Sequence, residues 1–373
     1  MFTKFNPKKY NYFLLIITIV TIIIGSIMIN SADSSYTYKQ ILGAIAGVFI
    51  LLVVSIINYQ FICKFYFVLY IINIVLLLMV LFFGVNVNNA TRWIMIGGSN
   101  GVQFQPSELS KIIMIIFSAT LLEKYKKKGQ INTFKCLSSF AGYAALTLFC
   151  IVQEPDLSTT ICLTVILVTI LYVSGLSYKI IGLALLIFVP LAGSFLWYIQ
   201  SPYPQFLKYY QRMRILSFIY PGKYGDEFSQ QNNSIMAIGS GQLTGKGLNT
   251  STIATVKDAN FISEQQTDFI FSVIGEELGF IGSVIIIAII LLIVLQCMSV
   301  ARHARDTKGM LIACGIGVEI GFQAFINIGV ASGVLPNTGI PLPLISYGLS
   351  SLLSVCIGLG MVLNISLQRY SLD

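Results

Sequence analysis

Asp268 stands where a polar stretch ending in Gln265-Gln266-Thr267 meets roughly thirty mostly apolar residues running on to Met298, a length that can cross a bilayer. A carboxylate near hydrocarbon costs several kcal/mol unless it faces a cavity or a partner, so it reads as functional: a proton relay, an ion ligand or a catalytic base. Asp156 begins another apolar run in the same way, after Glu154-Pro155. A helix N-terminus would keep such a carboxylate ionised, although acids flanking a proline also suit a solvated turn. Glu108, Lys111, Glu276, Glu277 and Glu319 also lie in or beside apolar stretches. His303 is the single histidine and sits in Ala301-Arg302-His303-Ala304-Arg305, away from these acids. Acid–base chemistry near Asp268 therefore falls to carboxylates.

Cations that could meet an anionic substrate are spread over several segments. Arg92 follows Asn88-Asn89-Ala90-Thr91, and Lys111 lies three residues beyond Glu108 in a helix that Pro106 would open. Glu108 and Lys111 share a face and form either an internal ion pair or a contact for substrate. Lys208, Arg212 and Arg214 lie among aromatic and aliphatic residues, as in an interfacial helix that snorkels its cations or offers them to a phosphate headgroup. Gly239-Ser240-Gly241-Gln242-Leu243-Thr244-Gly245-Lys246-Gly247 lacks the spacing of a nucleotide phosphate loop. Its glycines suit tight backbone turns instead. Glu276 lies about 80° around a regular helix from Asp268 and Glu277 about 180°, which makes Glu276 the better neighbour for Asp268.

The elements that carry these residues follow from composition. With 56% hydrophobic and 10% charged residues among 373, the chain is a polytopic membrane protein rather than a soluble domain. Apolar runs at 11–30, 41–57, 64–84, 107–122, 136–153, 157–175, 180–199, 268–298, 309–333 and 349–366 predict an all-α integral membrane protein of about ten transmembrane helices. The chain reads as one polytopic domain over 1–373, with 200–266 forming a large outer loop between spans 7 and 8 that contains interfacial helices. Placing both termini in the cytoplasm puts 14 of the 23 Lys and Arg in the inner segments, Lys124 to Lys128 most sharply, and leaves only Glu123, Asp306 and Asp373 of the 15 acids there. The net charge of +8 then reflects topology and anionic lipid headgroups, not nucleic acid. Seven scattered cysteines without metal-ligand spacing read as small buried residues. Pro336, Pro341 and Pro343 exclude a regular helix from an apolar segment that ends in Ser346-Tyr347-Gly348. Irregular backbone at membrane depth suits the wall of a watery site.

Six blocks together resemble the SEDS family, the RodA and FtsW proteins. They are Asn89-Ala90-Thr91-Arg92-Trp93, Phe104-Gln105-Pro106-Ser107-Glu108, Glu154-Pro155-Asp156-Leu157, Ala237-Ile238-Gly239-Ser240-Gly241, Thr267-Asp268-Phe269-Ile270-Phe271 with Glu276-Glu277-Leu278-Gly279, and Gly339-Ile340-Pro341-Leu342-Pro343 with Ser346-Tyr347-Gly348. The sequence departs from the pattern at Asn89, Ser158 and Leu349, where glycine is usual, and at Glu154, where glutamine is usual. The resemblance implies a peptidoglycan glycosyltransferase in the bacterial cytoplasmic membrane, polymerising lipid II on its outer face for cell-wall elongation or division beside a class B penicillin-binding protein. The compact chain leans toward the rod-shape type. Asp268 matches the family's essential aspartate, as general base or as ligand of a divalent metal ion; no nucleotide cofactor is implied. Arg92, Lys111, Lys208, Arg212, Arg214, Asp156 and Ser346 are the expected substrate contacts, with Glu108, Lys111 and Glu276 in support. A lipid II flippase is the competing reading, because broken helices and buried carboxylates also mark transporters.

Overall fold

The computed structural model describes residues 9–87, 90–96, 102–199, 209–220, 225–249 and 264–368. In chain order the helices are α1 (Tyr12–Ala32), α2 (Thr37–Ile56), the short α3 (Tyr59–Lys64), α4 (Tyr66–Phe83), α5 (Pro106–Lys127), α6 (Phe134–Gln153), α7 (Leu157–Val173), α8 (Tyr178–Ile199), α9 (Tyr209–Ile219), α10 (Gly225–Ser240), α11 (Ile270–Arg302), α12 (Thr307–Ala331) and α13 (Leu349–Leu367). Each of the ten apolar runs coincides with a helix. Among the described residues, seven helices are long and apolar enough to cross a membrane. Of the others, α5 is long but carries Glu108, Lys111, Glu123 and Lys124, and α7 has 17 residues.

Three strands, β1 (Val85–Val87), β2 (Ala90–Ile96) and β3 (Val102–Phe104), add an antiparallel sheet in the order β1-β2-β3 to the helices-only expectation. Val85 pairs with Trp93 and Ile94 with Phe104. Strands of three to seven residues are too short for alternation to reveal. The sheet carries Arg92 and leads through Gln105 into α5.

Polar caps fix where several helices begin. Asn11 Oδ1 accepts from Leu14 N at 3.0 Å, Thr133 Oγ1 from Cys136 N at 3.3 Å and Asp306 Oδ1 from Gly309 N at 2.8 Å, each satisfying a first-turn donor. Asp306 also accepts from Tyr59 Oη at 2.8 Å, and Lys308 lies 3.5 Å from Glu123. These contacts gather α3, α12 and the end of α5 at the Lys124–Lys128 end of the bundle. The starts of α5, α7, α11 and α13 lie at the opposite end, tied together by bonds described below.

Burial is uneven in the manner of a membrane bundle. α13 is buried along nearly its whole length, whereas α2, α4 and α11 present Phe49, Phe82, Phe83, Phe280 and Leu291 outward. Apolar side chains on that surface suit lipid. α2 and α13 approach closely over small residues. A Cβ on Gly43 would stand 2.3 Å from Leu349 Cδ2, so Gly43 makes the room that Leu349 occupies. All seven cysteines are free and buried, as composition predicts.

Candidate active site

Asp268 is half-buried, in the turn Glu264–Phe269 that precedes α11. The turn is held through its main chain from two other elements. Asn327 of α12 donates from Nδ2 to the carbonyls of both Asp268 and Ile340, each at 2.8 Å. Ser346 Oγ donates to Thr267 O at 2.6 Å and accepts from Leu342 N at 2.7 Å, while Tyr347 N donates to Gln266 O at 2.9 Å. Gln265 Nε2 adds a bond to Ala32 O, where α1 ends. The proline-rich segment thus serves as a wall for the turn, as its composition predicts. It presses against α1 closely enough that a Cβ on Gly25 would lie 2.7 Å from Leu344 O. Leu344 and Glu264 both adopt positive φ, 66° and 59°. A non-glycine residue held there costs about 1–3 kcal/mol and persists only where its surroundings impose it.

Ser346, expected to contact substrate, is instead buried with its hydroxyl engaged on backbone at both sides. It is a brace for the Asp268 turn. Glu276 likewise serves another partner: Lys246 Nζ lies 2.7 Å from its Oε1 and Ser240 Oγ 3.4 Å. The reckoning of 100° per residue assumed a helix through Asp268, whereas the helix starts at Ile270 and the preceding turn breaks the phase.

A second group forms around the start of α7. Asp156 caps the helix, accepting from Thr159 N at 3.1 Å, Thr159 Oγ1 at 2.8 Å, Gln105 Nε2 at 3.1 Å and Ser107 Oγ at 3.3 Å. Arg92 Nη1 lies 3.7 Å from it, and Arg92 Nη2 donates to Pro155 O. Asp156 is buried and its oxygens are committed, so it holds α5, α7 and β2 together rather than meeting substrate. Arg92 keeps part of its side chain exposed. Ser158 Oγ donates to Thr338 O, joining this group to the proline-rich segment. Several buried polar atoms here lack a hydrogen-bond partner: Arg92 Nε, both Glu154 carboxyl oxygens, Asn337 Oδ1 and Thr338 Oγ1. Such atoms are rare in folded proteins.

Glu154 is fully buried, and burial pushes its carboxyl up to about 9, with the Asp156 charge adding to the rise and Arg92 opposing it. At neutral pH it then keeps its proton, which makes it close to glutamine in shape and in its donor and acceptor. Linkage follows. Below about pH 4.5 folded and unfolded chains both hold this proton; between there and about 9 only the folded chain does. Stability therefore falls as pH rises through that window, by at most about 1.4 kcal/mol per pH unit from this group. Glu154→Gln is expected to melt with wild type at pH 5 and above it at pH 8.5. Parallel melting curves in detergent at both pH values would contradict the assignment.

Lys111, expected either to pair internally or to reach substrate, is an internal ion-pair residue. It is fully buried, 3.0 Å from Glu108 Oε1 and 3.6 Å from Glu319 Oε1. Arg212 Nε donates to Ile199 O at 3.2 Å, fastening α9 to the end of α8. Arg214 lies on α9, and Lys208 falls outside the described residues. Among the described residues no three His, Cys, Asp or Glu side chains come together as a metal cage. Asp268 itself offers carboxylate oxygens, donors that suit a hard divalent ion taking the rest of its shell from water or phosphate.

Lys246, Asn327 and Glu319 are contributors beyond the expected site residues, although Glu319 is one of the acids that stand out in the apolar stretches. For the last two a signal existed: Glu319, Gln323 and Asn327 recur every four residues, which puts three polar side chains on one face of an apolar helix, and all three are buried.

The family model FTSW_RODA_SPOVE, "Cell cycle protein", matches residues 9–371. The chain belongs to this family. Among curated relatives, Peptidoglycan glycosyltransferase MrdB of Escherichia coli K12 is 35% identical over 317 residues, covering 82% of this chain and 78% of MrdB. A probable peptidoglycan glycosyltransferase FtsW of Haemophilus influenzae is 30% identical, covering 97% of this chain and 92% of its own. A chain from a solved structure described as "Structural coordination of polymerization and crosslinking by a peptidoglycan synthase complex" superposes with a TM-score of 0.80 at 25% identity, covering 97% of this chain and 99% of that one. FtsW/RodA membership agrees with the multi-pass membrane bundle and with the order of the sequence blocks.

Proposed function

We propose that this chain, a peptidoglycan glycosyltransferase like its curated relatives, joins lipid II units into glycan strands with Asp268 as general base. The observation that carries the reading is the Asp268 turn itself. Its main chain is fixed by Asn327, Ser346 and Tyr347 from separate elements, while the residue stays partly open. A sugar 4-hydroxyl attacks the anomeric carbon of a donor linked to undecaprenyl pyrophosphate. Asp268 takes the hydroxyl proton as the new O–C bond forms, and the electron pair of the breaking C–O bond leaves with the pyrophosphate. One displacement turns an α-linked donor into a β-linked product, so no covalent enzyme intermediate is needed. Arg92, partly exposed beside Asp156, is a proposed cation for offsetting charge on the leaving group. Lys208 and Arg214 remain proposed contacts of the same kind. A divalent ion held by Asp268 together with the pyrophosphate would supply further charge neutralisation.

Orientation supports this chemistry on the outer face. Lys124 to Lys128 lie at the end of α5, opposite the end that starts beside Asp156. The positive-inside rule supports a cytoplasmic lysine end, and with it the reading that Asp268 faces outward and both termini inward. A class B penicillin-binding protein that cross-links the glycan is the proposed partner.

The test supplies purified protein in detergent with labelled lipid II and follows both polymer length and anomeric configuration. Long β-linked strands are expected without any bilayer. Movement of lipid II across liposomes with no polymer in either setting would make the chain a flippase instead.

A further inference from the structure

α11 is continuous in outline from Ile270 to Arg302, yet its backbone breaks at Gly279, where φ is 67° and ψ is −163°. A break in the helix leaves carbonyls and N–H groups without their partners in the helix. The loop after α10 satisfies them. Lys246 N donates to Glu276 O and Gly247 N to Glu277 O, both at 3.0 Å; Phe280 N donates to Gln242 O at 2.9 Å and Ile281 N to Leu243 O at 3.1 Å. This approach tolerates only glycine. A Cβ on Gly241 would stand 1.9 Å from Gly275 O, one on Gly245 2.1 Å from Glu277 O, and one on Gly279 2.3 Å from Gly245 N.

Side chains lock the same junction. Glu276, almost fully buried, meets Lys246 Nζ at 2.7 Å. Glu277 accepts from Ser31 Oγ of α1 at 2.5 Å and from Asn249 N at 3.3 Å. The short helical segment 270–278, which follows directly on the Asp268 turn, is thus fastened at its far end to the 241–249 loop instead of running straight into the span.

We propose that the 241–249 loop is a clamp that orients Asp268, with Lys246 as a positioning residue acting through Glu276. The inference rests on Asp268 being the reacting carboxylate. Ile270 to Glu276 is six residues of helix, about 9 Å, and the Asp268 turn joins that segment directly, so a tilt at the clamped end is carried to the turn. Misplacement of a reacting group by about 1 Å can cost about 10²-fold in rate. Lys246 matters through its charge: without it, the buried Glu276 carboxylate loses the ion pair at 2.7 Å and the junction loses one of its side-chain locks.

The experiment uses the full chain with labelled lipid II, combined with amide hydrogen exchange. Lys246→Met is expected to lower kcat about 10- to 100-fold with KM nearly unchanged, and to speed exchange over 270–278 while the amides of 282–300 keep their protection. Lys246→Arg should restore both readouts. Glu276→Gln should match Lys246→Met, and the double variant should be no worse than either single one, as expected of two groups that act together. Wild-type kcat in Lys246→Met would overturn the proposal. So would a loss of kcat accompanied by faster exchange throughout α11, which marks general destabilisation. If Asp268→Ala proves fully active, the underlying reading fails, and local exchange at 270–278 still reports separately whether the clamp exists.

Discussion

Lys111→Met is expected to destabilise the folded chain by about 3–5 kcal/mol, the usual result of removing one partner from a buried ion pair. Lys111 is enclosed among α5, α7 and α12, with Glu108 at 3.0 Å and Glu319 at 3.6 Å. Neither Glu319 oxygen has a hydrogen-bond partner, and Glu108 Oε2 lacks one too. Two carboxylates therefore depend on one ammonium group. Methionine would preserve the length and packing of the stem but strand both acids. Thermal unfolding in detergent should show the loss, and Glu319→Gln added to Lys111→Met should recover part of it by removing one stranded charge. A Lys111→Met protein that melts with wild type would refute the electrostatic account of this cluster.

Asp268→Asn is expected to lower kcat for glycan polymerisation by about 10²–10⁴-fold, the range that a positioned general base contributes. Asparagine keeps the size of the side chain and leaves the backbone carbonyl available to Asn327, so folding and substrate affinity should change little. A fall in kcat with KM held is the signature of a group needed in the transition state rather than in binding. Asp268→Glu retains the carboxylate but shifts it by a methylene. It should retain more activity than asparagine and less than wild type. Steady-state kinetics on the three proteins at matched thermal stability decides the matter, and an asparagine variant within threefold of wild type would remove Asp268 from the chemistry.

Apolar run length located the ten long helices because a bilayer demands about twenty residues per helix. Asp268 was legible for the same reason, as a charge with no inexpensive place to go. The partners of these charges were harder to read, since they depend on which helices touch. Asp156 looked open to substrate from its helix-start position, yet Gln105, Ser107 and Thr159 occupy its oxygens. Ser346 looked like site lining and is a brace. Glu276 was assigned by helical phase, which the turn before Ile270 interrupts. Freedom to turn is visible at Gly245 and Gly247, whose φ values are 79° and 97°. Gly241 and Gly245 also permit close approach to the break in α11, and that fact exists only once α10 and α11 are set side by side. Local spacing thus reported local geometry, whereas the role of each polar group was decided by tertiary contacts.

The most direct measurement of the central claim is glycan polymer formed from labelled lipid II by purified wild-type protein and by Asp268→Ala, at equal folded concentration. Polymer from wild type alone is the predicted result. Polymer in equal yield from both would contradict it.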